Sequence, residues 1–125
     1  MRSEANRPRL LLVEDDHDTY TALKGILTLR GWDVTVATTL VQAKSEVDSD
    51  HNLGAVILDL MLPDGEGEEL LSHLRDHAFN FPVAVTTGVE DSDRIAEVQK
   101  LGPTVLLKKP ISLAELMGAI APKAA

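Results

Sequence analysis

Five short apolar runs divide the chain, and each ends in a polar or charged residue. Arg9-Leu10-Leu11-Leu12-Val13 is continuous, the mark of a strand buried on both faces of a parallel sheet. Trp32-Asp33-Val34-Thr35-Val36-Ala37 alternates instead, which predicts a strand nearer a sheet edge. Ala55-Val56-Ile57-Leu58 and Val83-Ala84-Val85-Thr86 predict two more buried strands, and Thr104-Val105-Leu106-Leu107 a fifth strand. Between them the apolar spacing turns helical. Tyr20, Leu23, Ile26 and Leu27 recur from about Asp18 until Gly31 ends the helix. Thr39 reads as an N-cap ahead of Leu40, Ala43 and Val47. Leu70, Leu71 and Leu74 share a face from about Gly67 to Asp76, and Ile95, Val98 and Leu101 do so after Asp91-Ser92-Asp93. Ser112, with Glu115 at the third position after it, opens a last helix carrying Leu113, Leu116 and Ile120.

Strands alternating with helices imply parallel pairing through right-handed crossovers, hence a doubly wound α/β sandwich. Ligands of such sheets sit outside the carboxyl ends of the strands, near the topological switch point. Sorting the polar residues by that rule brings a set to one rim. Glu14 and Asp15 end the first strand, Asp59 the third, Thr87 the fourth, and Lys109 the fifth.

Asp59 is the awkward member. It stands between the apolar runs Ala55–Leu58 and Leu60–Leu62, where a carboxylate is rarely left unpaired. Alone it also fits a helix cap or a loop carboxylate; Glu14-Asp15-Asp16 alone suits a helix N-terminus, and Thr87 a turn. Together they describe chemistry. Three carboxylates within a few ångströms repel, and a hard divalent cation is their natural neutraliser. Mg²⁺, or Mn²⁺ in its place, takes one or two carboxylates, keeps waters and completes its shell with phosphate oxygens. Lys109 adds a point charge for an anion, and Thr87 a hydroxyl donor. A metal, a lysine and a hydroxyl around a carboxylate form a phosphoryl-transfer centre with the carboxylate as nucleophile.

Composition narrows the alternatives. The 125 residues suffice for one domain with a real core, and 44% are hydrophobic. A formal net charge of −8 argues against direct nucleic-acid binding. The chain has no cysteine, which excludes disulfides and thiolate metal sites. No apolar stretch approaches a membrane span and the start lacks a signal-peptide core, so a cytoplasmic protein is expected.

Four segments carry a specific resemblance: Leu11-Leu12-Val13-Glu14-Asp15-Asp16, Leu58-Asp59 through Gly65-Glu66-Gly67, Pro82 through Thr86-Thr87-Gly88, and Lys109-Pro110. In this order they resemble the receiver domain of two-component response regulators. The resemblance implies a flavodoxin-like fold with strand order 2-1-3-4-5. It further implies phosphorylation of Asp59 by a histidine kinase or phosphotransfer protein, with Mg²⁺ held by Glu14, Asp15, Asp59 and the Met61 backbone carbonyl. Thr87 would be the switch hydroxyl and Lys109 the phosphate-pairing lysine, with the Lys109–Pro110 peptide expected cis. Asp16 falls outside the acidic pair. Where the family usually has Tyr or Phe, three residues before the lysine, this chain has Leu106, which implies a different readout of phosphorylation. Met61 and Val89, both apolar, are expected to flank the site and restrict the attacking water.

The expected organisation is a leader over 1–8, a receiver domain over 9–121 and a tail over 122–125. The expected function is a phosphoacceptor switch rather than an enzyme, joining only in its own phosphorylation and slow dephosphorylation. Output would pass to a downstream protein partner or to a C-terminal effector domain. Two rival readings are a phosphorylation-independent interaction module, favoured only by Leu106, and a haloacid-dehalogenase-type phosphatase. The latter needs a second acid two residues after the nucleophile, where this chain has Met61. A flavodoxin-like cofactor binder would need a glycine- and hydroxyl-rich loop where Glu14-Asp15-Asp16 stands.

Overall fold

The first apolar run forms β1 (Arg9–Val13), an interior strand of a five-stranded parallel sheet, in a computed structural model that describes residues 7–50, 52–88 and 90–121. It is followed by α1 (His17–Leu29), β2 (Asp33–Ala37), α2 (Leu40–Ser49) and β3 (Leu53–Asp59). A tight hairpin, β4 (Met61–Leu62) and β5 (Gly65–Glu66), leads into α3 (Glu68–Asp76). Then come β6 (Val83–Thr87), α4 (Ser92–Lys100), β7 (Val105–Lys108) and α5 (Leu113–Ile120). The sheet order is β2-β1-β3-β6-β7. With the hairpin set aside this is the expected order 2-1-3-4-5. The hairpin itself is a correction, since Pro63-Asp64-Gly65 reads only as a turn in the sequence. Its strands form because Met61 pairs with Glu66 and Leu62 with Gly65.

Alternation along the strands supplies two cores. Leu11, Val13, Val56, Leu58 and Val85 face α2, α3 and α4, where they meet Val47, Leu70, Leu74 and Val98. Leu10, Leu12, Ile57, Ala84 and Leu107 face α1 and α5, where they meet Leu23, Leu27, Leu116 and Ile120. A central strand such as β3 is thus apolar on both faces, as its sequence indicates, and truncating Leu58 to Ala is expected to cost about 2–5 kcal/mol. Trp32 is buried beside the edge strand β2 in the second core. Leu106 is half-buried against the first core.

Helix ends follow the caps. Asp16 starts α1 by accepting the Thr19 N–H at 2.9 Å, one residue earlier than hydrophobic spacing alone suggests. Thr39 accepts the Gln42 N–H at 3.1 Å, and Ser112 accepts the Glu115 N–H at 3.2 Å. Gly31, with φ +98°, closes α1 in a conformation that side chains disfavour. Of the expected leader, residues 1–6 lie outside the described residues, as does the 122–125 tail. Pro8 is described, and its carbonyl accepts the Asp33 N–H at 2.9 Å. No helix among the described residues is long and apolar enough to cross a membrane.

Candidate phosphoryl-transfer site

Parallel pairing places the carboxyl ends of β1, β3, β6 and β7 along one rim. Register is fixed there by Val13 opposite Leu58, Asp59 opposite Thr86, and Thr87 opposite Lys108. The Glu14 N–H continues the ladder to Ala37 O at 3.0 Å, which carries the Glu14 side chain to the end of the sheet. Beyond β7 the backbone passes through a cis Lys109–Pro110 peptide, as expected, and the Lys109 N–H bonds Thr87 O at 2.8 Å.

The result is a cleft of about 550 Å³ walled by Glu14, Asp15, Asp59, Met61 and Lys109 among others. Asp59 is only 4% exposed, yet neither of its oxygens is idle. Oδ2 accepts from Lys109 Nζ at 2.9 Å, and Oδ1 accepts from the Met61 N–H at 3.0 Å. Lys109 also reaches Glu14 Oε1 at 3.3 Å, while Glu14 Oε2 accepts the Asp16 N–H at 3.2 Å. Carboxylate oxygens of Glu14, Asp15 and Asp59 lie within 4.8 Å of one another.

These charges perturb each other. Burial, followed by the close approach of Asp59, holds the Glu14 carboxyl above the usual carboxylate range, against the opposing pull of the Asp16 N–H and Lys109. Burial pushes the Lys109 ammonium down, but its hydrogen bond to Asp59 and the charges of Asp59 and Glu14 outweigh that and leave it above its ordinary value. One lysine facing three acids leaves the cleft anionic. Hard oxygen donors clustered this closely suit a divalent cation with room for water and phosphate oxygens.

The residues expected from the sequence are not all equivalent here. Glu14, Asp15, Asp59, Met61 and Lys109 share the cleft. Thr87 is completely buried at the end of β6 and does not line it. Thr86 instead joins Glu14, Lys109 and Ile111 around a smaller cavity of about 200 Å³. Val89 lies outside the described residues. Asp16, expected outside the acidic pair, also lines the cleft, and its carboxylate caps α1. A larger depression of about 680 Å³ lies against α1 and β2, lined by residues such as Tyr20, Leu29 and Val36; no carboxylate reaches it, so it offers no such chemistry.

Sequence reasoning misses three residues around the rim. Asp64, in the hairpin, caps α2 through the N–H groups of Leu40 at 2.8 Å and Val41 at 3.1 Å. Glu68 on α3 and Arg94 on α4 form an ion pair at 2.7 Å, and Arg94 Nη2 also reaches Leu60 O at 3.0 Å. Partners 23 to 34 positions apart leave no periodic signal in the sequence.

Known proteins share both sequence and architecture with the chain. The response regulator receiver domain profile matches residues 10–121. The chain is 35% identical over 109 residues to a probable transcriptional regulatory protein, y4xI, of Sinorhizobium fredii, covering 87% of this chain and 47% of that one. It is 31% identical over 112 residues to the transcriptional regulatory protein KdpE of Staphylococcus aureus, covering 90% of this chain and 48% of that one. The chain therefore spans about half the length of the curated relatives it matches. Among solved structures, the non-phosphorylated HemR receiver domain from Leptospira biflexa superposes with a TM-score of 0.82 at 28% identity, over 95% of this chain and 98% of that one. The Francisella response regulator 1452 receiver domain gives 0.81 at 28%, over 90% and 93%. A doubly wound sheet, an acidic cleft at its carboxyl rim and this sequence match make the chain a member of the response regulator receiver domain family.

Proposed function

We propose that Asp59 is the phosphoacceptor of a signalling switch formed by residues 9–121, loaded in the cytoplasm by a histidine kinase or phosphotransfer protein. The observation that carries this reading is the grip on the Asp59 carboxylate. Lys109 and the Met61 N–H hold its two oxygens at 2.9 and 3.0 Å, at the floor of a cleft open to a donor. That pre-orients a nucleophile without burying it from its partner.

A carboxylate oxygen of Asp59 attacks the phosphorus of a phosphohistidine as the P–N bond breaks, and the donor's imidazole leaves with the bonding electron pair. Lys109 then releases part of its hold on Asp59 and pairs with the phosphoryl oxygens. Mg²⁺, held by Glu14, Asp15, Asp59 and the Met61 carbonyl, would supply positive charge to the phosphoryl oxygens. Thr87 offers its hydroxyl to the phosphoryl group, and the segment leading into α4 follows. Coupling of about 1–3 kcal/mol between site and surface is ordinary for such a switch.

Leu106, half-buried against the core that includes Val98 of α4, reads this movement through packing rather than through an aromatic swing. The chain turns over no substrate beyond its own phosphorylation and slow hydrolysis. With a net charge of −8, this part carries its message to a protein partner or an effector domain rather than to nucleic acid directly.

The test is incubation with Mg²⁺ and acetyl phosphate, followed by intact-mass spectrometry. One acid-stable, base-labile phosphoryl group is expected on the wild type and none on Asp59→Asn. An unlabelled wild type would end the proposal.

A further inference from the structure

The peptide unit between Leu60 and Met61 is held from both ends. Its N–H, on Met61, donates to Asp59 Oδ1 at 3.0 Å. Its carbonyl, on Leu60, accepts from Arg94 Nη2 at 3.0 Å and from the Gly67 N–H at 3.0 Å. Because a peptide is planar, fixing the carbonyl fixes the direction of the N–H. A guanidinium on the carbonyl also polarises the unit and strengthens the N–H as a donor.

Arg94 is itself well anchored. Its Nε and Nη2 form a fork on Glu68 at 2.7 and 2.9 Å, and Nη1 lies 3.3 Å from Met61 Sδ. Both side chains of the ion pair are only 18% exposed. The pairing keeps both charged: Arg94 hydrogen bonds hold the Glu68 carboxyl below its usual range, and Glu68 raises Arg94 above its own. A residue of α4, which follows Thr87 in the chain, is thereby connected to the phosphoacceptor through one peptide plane.

We infer that Arg94 is a positioning residue for the site: through the Leu60–Met61 peptide it orients the Asp59 carboxylate, and it couples the setting of α4 to that orientation. The inference rests on the reading of Asp59 given above. By linkage, whatever shifts α4 changes the hold on Asp59, and loading Asp59 changes the hold on α4. The chain thus has a direct connection between site and α4 that does not pass through residue 106.

The experiment compares wild type, Arg94→Met and the double variant Glu68→Leu/Arg94→Met in the full chain. The double variant replaces a half-buried ion pair by apolar side chains, a change that often keeps or raises stability, so it separates folding from positioning. Hydrogen exchange of the Met61 amide is read by NMR in the metal-free protein, and Mg²⁺ affinity by titration. Loss of one charge-assisted bond on the carbonyl should speed Met61 exchange roughly tenfold in both variants and weaken Mg²⁺ binding several-fold. The double variant should nonetheless match the wild type in Tm. Wild-type Met61 exchange and Mg²⁺ affinity in the double variant would overturn the inference while leaving the phosphoacceptor reading intact. A wild type that binds no Mg²⁺ and takes no phosphoryl group would overturn that reading, and this inference with it.

Discussion

The carboxylate of Asp64 caps a helix to which it is not adjacent in sequence: its Oδ1 accepts the Leu40 N–H at 2.8 Å across 24 positions. Oδ2 takes the Val41 N–H, and Thr39 takes the next, from Gln42. The first donors of α2, which a helix cannot satisfy internally, are thus met by two separate side chains. Those backbone bonds hold the Asp64 carboxyl below the usual carboxylate range. Asp64→Ala is expected to lower Tm by a few degrees and to loosen the hairpin after Asp59. A thermal scan near neutral pH checks it; an unchanged Tm would show the cap to be redundant with Thr39.

The Glu68–Arg94 pair gives a pH dependence with a definite sign. Hydrogen bonds from Arg94 lower the folded-state pKa of Glu68, so the unfolded chain binds its proton first as the pH falls. The pair's contribution is therefore present above the unfolded glutamate value of about 4.3 and is lost as the pH drops through and below it. Urea midpoints measured from neutral to about pH 3.5 should fall less steeply for Glu68→Gln than for wild type. Parallel curves would contradict the assignment.

Gly67 faces backbone too closely for any side chain. A Cβ built there would lie 2.8 Å from Asp59 O and 3.0 Å from Leu60 Cα, and neither neighbour can yield as a flexible side chain could. Gly67→Ala should cost about 1–3 kcal/mol by overpacking. It should also slow phosphoryl uptake from acetyl phosphate, because the strain falls on the segment carrying Asp59, the proposed phosphoacceptor. Denaturation and a time course of intact mass read the two effects separately.

Asp15 is the exposed member of the acidic trio, whereas Glu14 is 3% and Asp59 4% exposed. In the absence of metal its charge mainly repels theirs. Asp15→Asn should therefore raise Tm in EDTA while shrinking the further rise that Mg²⁺ produces, since a ligand stabilises only in proportion to its affinity for the native state. A variant less stable than wild type in EDTA would show that the trio is already balanced by Lys109.

The sequence made the strands legible because burial on two faces leaves no ambiguity of period: Leu10–Val13 and Val56–Leu58 had only one way to be satisfied. The strand-end acids and Lys109 were legible for the same reason, as polar residues at the ends of such runs. Thr87 shows where this stops. Strand position brings it to the end of β6, but how deeply a strand-end residue is covered depends on the packing around it, and here Thr87 is fully buried. The Asp64 cap and the Arg94 fork were invisible because they join loops and helices whose mutual approach only the assembled sheet determines. The caps Thr39 and Ser112 are legible from residue type, whereas α1 begins one residue before its apolar spacing suggests because Asp16 caps it.

Lys109 meets Asp59 across 50 positions and Glu14 across 95. No local segment contains even half of that arrangement, and parallel strands pair only after their crossovers have closed. During synthesis and folding, Asp59 therefore acquires its counter-ion only when the last strand of the sheet has docked. A chain stalled before that point would present an acid with neither its lysine nor its finished cleft, and a phosphodonor would find nothing competent to load. On the proposed function, competence to be phosphorylated would be a report that the whole sheet is complete.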